Sequence, residues 1–261
     1  MALSSFRIVR RGTGPIVAAA VHDGHDVRED TAGVIALDDL GQLREEDPFT
    51  AGWAQVAPTQ IVGVRSRFEV DLNRPREKAV YRTPDDAWGL QVWKSELPQA
   101  NVDASLRQYD EFYDAVGRLL QELVDRYERV VVYDLHTYNH CRDGADGPKA
   151  DTKENPEVNI GTGTMDRKFW SPVVDRFVSD LSAADYRGRS LDVRENVKFQ
   201  GGYFGQWIHE RFPRQVCAIA VEFKKFFMDE WSGEPDLEQV AAIYDTLQST
   251  VPGVHEALEA M

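Results

Sequence analysis

Short apolar runs alternate with longer helical patterns along the chain, and this alternation predicts an α/β protein. Continuous apolar runs occupy residues 15–21, 130–133 and 216–223. They are short and rich in β-branched or small residues, which is typical of strands buried on both faces of a parallel sheet. Residues 61–64, 68–72 and 191–199 also have the character of strands.

Helical periodicity is clearest between residues 103 and 127, where apolar side chains recur at every third or fourth position. Asp103 or Ser105 is a suitable cap for this helix. Further helices are predicted at 166–181, 235–247 and 251–258, with a short polar helix or turn at 40–50. A loop rich in Gly, Asp and Lys at 142–156 is predicted to be mobile and to lie over a site.

Composition limits the classes of protein that the chain can represent. Its 261 residues are 42% hydrophobic and 28% charged, which fits one globular domain over residues 1–261. A net charge of −14 argues against a nucleic-acid partner, because phosphate binding needs a basic face. No apolar run approaches the roughly 18 residues of a membrane span, so no membrane partner is expected. The two cysteines make no disulfide framework, which favours a cytoplasmic location. The sequence does not indicate an oligomeric state.

Histidines follow two of the buried-looking strands. His22 follows the run at 15–21, with His25 three residues later, and His136 follows the run at 130–133. A single histidine is more often a core or surface residue than a functional one. The carboxyl ends of parallel strands, however, meet at one edge of a sheet, where ligands bind. Asp134 lies two residues before His136 on the same strand face, which suits either a metal ligand with its orienting carboxylate or a general base.

Other polar side chains are predicted at the same edge. Glu222 interrupts the apolar run at 216–223, where a carboxylate is costly unless it is paired or functional. Asn73 and Arg74 follow the strand predicted at 68–72. Arginine suits carboxylate recognition, although a surface ion pair is the more ordinary role. The acidic segment 45–47 is typical of a solvated face, but one of its carboxylates could also serve as a metal ligand.

The charge near these strand ends differs in sign from that of the whole chain. A local positive excess comes from Arg65, Arg67, Arg74, Lys224 and Lys225. Charges in a partly desolvated crevice act through a lower dielectric than the surface field. The substrate is therefore predicted to be an anion.

Several ordered blocks resemble the N-formylglutamate amidohydrolase family. They are VHDG (21–24), SRFEVDLNRP (66–75), YDLHTY (133–138), VNIGTGT (158–164), VKFQGGYF (197–204) and AIAVEFKKFFMDE (218–230). The resemblance implies the fold of zinc carboxypeptidases and aspartoacylase, a mixed, mostly parallel sheet of about eight strands between helices. It also implies a hydrolase that cleaves the amide bond of a small anionic N-acyl amino acid.

The resemblance further implies one zinc ion, Zn²⁺, and a set of site residues. His22 and His136 would be metal ligands. The third ligand stays open between His25, which stands where aspartoacylases carry an acid, and Asp47, which lies in the acidic segment.

The remaining roles follow from the same family pattern. Glu222 would be the general base and Arg67 the group that stabilises the oxyanion. Asn73 and Arg74 would bind a substrate carboxylate. Lys224 departs from the family pattern and is predicted as a further substrate contact because of the local positive charge.

Two other functions fit the same fold. One is a carboxypeptidase-type hydrolase of short or cell-wall peptides. The other is a member without catalytic activity that binds an acidic metabolite or a partner protein. Metal content and hydrolysis after addition of metal would separate this last possibility from the enzymes.

Overall fold

A computed structural model describes residues 7–261, so the first six residues of the predicted domain lie outside the described part. The strands are β1 (Arg7–Arg10), β2 (Ile16–Ala20), β3 (Thr59–Gly63), β4 (Val130–Tyr138), β5 (Val158–Gly161), β6 (Val193–Glu195) and β7 (Val216–Lys224). The helices are α1 (Glu29–Ala32), α2 (Asp39–Glu45), α3 (Thr50–Trp53), α4 (Gln99–Tyr127), α5 (Ser171–Ala183), α6 (Tyr203–Arg211) and α7 (Leu237–Glu259). Short 3₁₀ helices occupy Ala54–Val56, Arg76–Lys78 and Pro84–Ala87.

Within residues 7–261, seven strands form one mixed sheet in the order β1-β3-β2-β4-β7-β5-β6. Strands β3, β2, β4 and β7 run parallel to one another. β1 is antiparallel to β3, and β5 is antiparallel to β7 but parallel to β6. The prediction of a mixed, mostly parallel α/β sheet is confirmed, with seven described strands in place of about eight.

Helices cover both faces of the sheet, and the strand period of two assigns side chains to each face. Ala18 belongs to a cluster with Phe177 of α5 and with α7, whereas its neighbour Val17 belongs to a cluster with Phe112 of α4 and with α6. Because the central strands are buried on both faces, the sequence has a continuous apolar run at each of them.

The long helix α4 begins earlier than its apolar pattern predicts. It starts at Gln99, with Pro98 at the N-cap position and no side-chain cap, so the caps predicted at Asp103 and Ser105 are wrong. Those two residues lie inside the first turns. Although α4 has 29 residues, no described helix combines the length and the apolar character needed to cross a membrane.

Two other predicted elements differ in the structure. Residues 68–72 do not form a strand, because the backbone N–H groups of Glu69 and Val70 donate to the Ser66 carbonyl (3.0 and 3.2 Å) and close a turn in place of ladder hydrogen bonds. The helices predicted at 235–247 and 251–258 are one helix, α7, with Pro252 inside it. Burial of Val254 and Leu258 outweighs the backbone hydrogen bond that proline cannot donate.

The parallel strands bring the predicted polar residues to one edge of the sheet. His22 follows β2, His136 lies in the last third of β4, and Glu222 lies near the end of β7. The register pairs His136 directly with Glu222 across β4 and β7. From α4, the Tyr113 hydroxyl donates to the Leu72 carbonyl (2.7 Å), which fixes the turn that follows β3 at the same edge.

We expect the fold to lose stability in acid through His209 of α6. Its Nε2 accepts the Ala218 backbone N–H (3.0 Å) and its Nδ1 lies 3.0 Å from the Thr164 hydroxyl, which requires a neutral ring. Burial lowers the pKa of His209 to about 4. Its stabilising contribution, at most about 3 kcal/mol, is therefore complete above pH ~6.5 and is lost as the pH falls from there to about 4.

Urea unfolding of the native protein and of His209→Gln at several pH values measures this contribution. The free energy of unfolding should fall more steeply between pH 6.5 and 4.5 in the native protein. Equal slopes for both proteins would show that His209 does not contribute.

Candidate active site

A cavity of about 210 Å³ opens at the carboxyl ends of β2, β4 and β7. Most of the residues that line it are polar or charged, and aromatic side chains lie among them. The lining residues are His22, Glu45, Asp47, Arg67, Asn73, Trp88, His136, Thr137, Tyr138, Asn139, Arg142, Phe199, Gly201, Gly202, Glu222 and Lys225.

Three buried side chains converge at the base of the cavity. Oδ2 of Asp47 lies 3.0 Å from Nδ1 of His136 and 3.4 Å from Nδ1 of His22. One nitrogen or oxygen atom from each residue lies within 4.8 Å of the other two. This spacing brings two imidazoles and one carboxylate around a common centre.

A carboxylate behind each ring fixes the direction of the histidines. Nε2 of His22 lies 2.7 Å from Oδ1 of Asp71, and Nε2 of His136 lies 3.0 Å from Oδ1 of Asp134. An ionised carboxylate only accepts hydrogen bonds, so both rings carry a proton on Nε2. Nδ1 of His136 faces a second carboxylate, that of Asp47 (3.0 Å), to which it donates when it carries a proton. When a ring is neutral with its proton on Nε2, Nδ1 presents a lone pair to the cavity, which is the arrangement of metal-binding histidines.

Asp47 is fixed by its neighbours, although it follows the end of α2. Its backbone N–H donates to the His22 carbonyl (2.9 Å), and its Oδ1 accepts the Thr137 hydroxyl (2.8 Å). Burial opposes the charge of Asp47, but hydrogen bonds from His136 and His22 hold the pKa of this carboxyl far below its ordinary value. Asp47 is therefore a charged, pre-positioned oxygen donor.

His25 lies outside this group. Its Nδ1 lies 2.6 Å from Oε2 of Glu46, and its side chain is 45% exposed. Of the two candidates for the third ligand, the structure brings Asp47 to the histidines and places His25 in another pair.

The charges around the group favour a bound cation. Asp47, Asp71 and Asp134 are all buried, and Oδ2 of Asp134 has no hydrogen-bond partner among residues 7–261. Burial lowers the pKa of His136, but the charges of Asp134 and Glu222 outweigh it and raise this pKa well above the ordinary value. A divalent cation with nitrogen and carboxylate ligands fits this donor set, with room for a water or a substrate.

Glu222 faces the cavity from β7, beside His136. Within residues 7–261 no hydrogen bond or ion pair reaches its carboxylate, which is partly exposed to the cavity. Burial of the Glu222 carboxyl, which disfavours its charged form, raises its pKa to about 7. A carboxylate with this environment is suited to accept and release a proton.

Arg67 also lines the cavity and is restrained by two acceptors. It donates from one terminal nitrogen to Oδ2 of Asp71 (2.9 Å) and from the other to the Glu45 carbonyl (3.1 Å). Its guanidinium lies 4.9 Å from the centre of the Trp88 ring. Arg67 is thus a fixed cation with further N–H groups on its fork.

The Asn73 and Arg74 side chains diverge. Asn73 lines the cavity, accepts the Phe204 backbone N–H (2.8 Å) and packs against Gly202, where a Cβ atom would lie 2.2 Å from the Asn73 amide. Arg74 is outside the lining set. Its Nε lies 3.5 Å from Asp71 and its guanidinium lies over the Tyr81 ring (4.6 Å), so contact with a substrate would require it to leave that ring.

The two lysines after Glu222 also differ in position. Lys224 lies outside the lining set and donates to the Asn155 carbonyl (3.0 Å). Lys225 lines the cavity, is buried and donates to the carbonyls of Arg44 (2.5 Å) and Glu46 (2.7 Å). Burial lowers the pKa of Lys225 to about 8. Lys225 therefore fixes the backbone that carries Asp47.

A known protein family matches most of the chain. Residues 14–228 match the N-formylglutamate amidohydrolase family. The chain belongs to this family. The resemblance predicted from the sequence blocks is confirmed, and the protein is an amidohydrolase at the level of its family. Comparison with curated proteins gives no significant match.

Solved structures show that the fold is shared. An N-formylglutamate amidohydrolase from Ralstonia eutropha JMP134 superposes with a TM-score of 0.76 at 16% identity, covering 98% of this chain and 99% of that one. The gene product Atu2144 from Agrobacterium tumefaciens superposes with a TM-score of 0.70 at 18% identity, covering 98% and 95%. At these identities the likeness concerns the fold alone.

Sequence reasoning missed several residues of the site, among them Asp71, Glu45, Asn139 and Arg142. Asp71 had a detectable signal, because it precedes Asn73 in DLN as Asp134 precedes His136 in DLH. Glu45 lies in an acidic run typical of a solvated face, yet its side chain is buried and lines the cavity. Arg142 begins the loop predicted to lie over the site, and nothing in its local sequence singles it out.

We expect Lys225→Met to destabilise the protein by about 1–3 kcal/mol, because it leaves two buried carbonyls without their donor. The neighbouring Lys224→Met removes a donor from one carbonyl and is the matched control. Urea titrations of both variants measure the change in the free energy of unfolding. A loss for Lys224→Met as large as that for Lys225→Met would contradict a special role for Lys225.

Proposed function

We propose that the protein is a zinc-dependent amidohydrolase that cleaves the amide bond of a small anionic N-acyl amino acid. The observation that carries the proposal is the convergence of two Nδ1 atoms on Oδ2 of Asp47, with each ring oriented by its own buried aspartate. Membership of the amidohydrolase family supplies the reaction class.

His22, His136 and Asp47 would hold the ion. Two imidazoles and one carboxylate are a donor set of catalytic zinc sites, which keep a coordination position open. When bound, zinc supplies Lewis acidity that polarises the scissile carbonyl and makes water easier to deprotonate. Asp71 and Asp134 would keep both rings in the tautomer that binds metal.

Glu222 would move the proton. As a carboxylate it takes a proton from the attacking water, and as a carboxylic acid it returns that proton to the leaving amine. A pKa raised to about 7 by burial makes both directions accessible near neutral pH. A cation at the neighbouring ligands would lower this pKa, so the acidic limb of the rate profile should lie at or below about pH 7.

Arg67 and Asn73 would bind the substrate and the charge that develops on it. Arg67 is restrained by Asp71, so its remaining N–H groups can face a developing oxyanion without reorganisation. The Asn73 amide faces the cavity and can donate to a substrate carboxylate. Arg74 and Lys224 remain predicted substrate contacts that the present arrangement does not bring into the cavity.

The cavity supports a small substrate. A volume of about 210 Å³ accommodates an acylated amino acid better than an extended peptide. This favours an N-formylglutamate-like compound, the substrate in the family name, over the short or cell-wall peptides of a carboxypeptidase.

We expect one equivalent of zinc per chain, held through Asp47. Asp47→Asn removes the charged oxygen donor and should reduce bound zinc well below one equivalent, whereas the matched variant His25→Gln should retain it. Elemental analysis after dialysis against zinc and then against metal-free buffer measures the content. Loss of zinc in His25→Gln with retention in Asp47→Asn would reverse the ligand assignment. An absence of zinc in the native protein, with no hydrolysis after its addition, would favour a binding protein without turnover.

We expect Glu222→Gln to retain the fold and the metal and to lose about 10²–10⁴-fold in kcat, the usual contribution of general acid–base catalysis. Hydrolysis of N-formyl-L-glutamate, thermal unfolding and zinc content would be measured on the same preparation. A lower Tm with nearly normal turnover per folded molecule would instead assign Glu222 a structural role.

A further inference from the structure

The cations that line the cavity differ in how far they are already engaged. Among residues 7–261 these are Arg67, Lys225 and Arg142. Arg67 is restrained by Asp71 and a carbonyl, and Lys225 donates to two carbonyls. Arg142 makes only long contacts, 3.4 Å from each terminal nitrogen to the Glu45 carboxylate, and its side chain is 57% exposed. Arg142 is therefore the lining cation with the most capacity for a ligand.

The Glu45 carboxylate lies where a carboxylate ligand of Arg142 would lie. Each of its oxygens faces one terminal nitrogen of the guanidinium, in the paired manner by which arginine binds carboxylates. Oε1 also accepts the side-chain amide of Asn139 at 3.1 Å. The two donors thus form a carboxylate-binding pair at the cavity, and a group of this chain occupies it.

We propose that Arg142 and Asn139 form a second carboxylate subsite, which takes the side-chain carboxylate of an N-acylated acidic amino acid in exchange for Glu45. The inference rests on the proposed function and assigns residues that select the amino acid. Because one carboxylate replaces another, the exchange keeps the charge balance at Arg142. Glu45 retains a cation nearby, since Nε of Arg44 lies 4.0 Å from its carboxylate.

The backbone before Arg142 is firmly positioned, although it follows the end of β4. The backbone N–H groups of His140 (2.7 Å) and Cys141 (3.1 Å) donate to the Glu230 carboxylate. The Cys141 carbonyl accepts the indole N–H of Trp231 (2.7 Å). An exposed guanidinium on an anchored backbone can change partner without moving the chain, which suits a subsite that binds and releases ligand.

The test compares N-formyl-L-glutamate with N-formyl-L-glutamine, which has the same shape but lacks the second carboxylate. The native protein should favour the glutamate compound in kcat/KM. Arg142→Gln should lower kcat/KM for that compound about 10-fold, mainly through KM, and should reduce the preference between the two compounds by a similar factor. Arg142→Lys should restore part of the preference, and Glu45→Gln should lower KM for the glutamate compound because the internal competitor loses its charge.

Arg118→Gln is the matched control, because Arg118 forms an exposed ion pair with Asp114 on α4, away from the cavity. Arg118→Gln should change neither kcat/KM for the glutamate compound nor the preference between the two compounds. Calorimetric binding of both compounds to the Glu222→Gln protein gives a readout that does not need turnover. There, Arg142→Gln should weaken binding of the glutamate compound about 10-fold and of the glutamine compound much less.

An equal loss of kcat/KM for both compounds in Arg142→Gln would overturn the subsite. Calorimetry in which the Glu222→Gln protein binds both compounds equally, or binds neither, would also overturn it. Hydrolysis of both compounds by the native protein with equal kcat/KM would overturn the subsite and leave the proposed function intact. Hydrolysis of neither by the zinc-loaded protein would overturn the proposed function, and the binding measurement would then decide the subsite by itself.

Discussion

Two buried hydrogen bonds determine the geometry of the cavity: Nε2 of His22 to Asp71, and Nε2 of His136 to Asp134. Each bond fixes a ring, its tautomer and the direction of its Nδ1. Without them, neutral imidazoles could present either nitrogen to the cavity, and Oδ2 of Asp47 would have no defined partner. The cost of burying the carboxylates is offset only when all the donors that face them are in place.

Asp71 extends this constraint beyond the metal ligands. Its carboxylate accepts His22, the backbone of Asn73, Arg67 and the Tyr81 hydroxyl, so four groups of the site are positioned through one side chain. The turn closed on the Ser66 carbonyl contributes to this, because it brings Arg67 back to Asp71, four residues later. Local irregularity and site geometry therefore have a common origin.

Several features of the site could be predicted because sheet topology follows from sequence pattern. Apolar runs ending in His22, His136 and Glu222 predict parallel strands, and parallel strands bring those residues to one edge. The placement of Arg74, Lys224 and Arg142 could not be predicted in this way. It depends on where a side chain turns after its strand ends: Lys225 turns back to the carbonyls before Asp47, and Arg74 lies over Tyr81. Such choices are tertiary packing, which a single sequence does not encode in its periodicity.

Charge in the cavity links the metal to the substrate. Among residues 7–261, the Asp, Glu, Arg and Lys side chains of the lining are three acids and three bases, namely Glu45, Asp47, Glu222, Arg67, Arg142 and Lys225. With neutral histidines, as metal binding requires, and with Glu222 ionised, these charges cancel, so the cavity then offers an anion little net attraction, and the surrounding charge of −14 opposes it over distances that salt screens. A divalent ion at His22, His136 and Asp47 would change the balance to positive in a region of low dielectric. Binding of zinc and of an anionic substrate would then favour each other by the same free energy, as linkage requires. An acidic protein can select anions in this way because its cavity holds nearly neutral charge that one cation converts into an anion site.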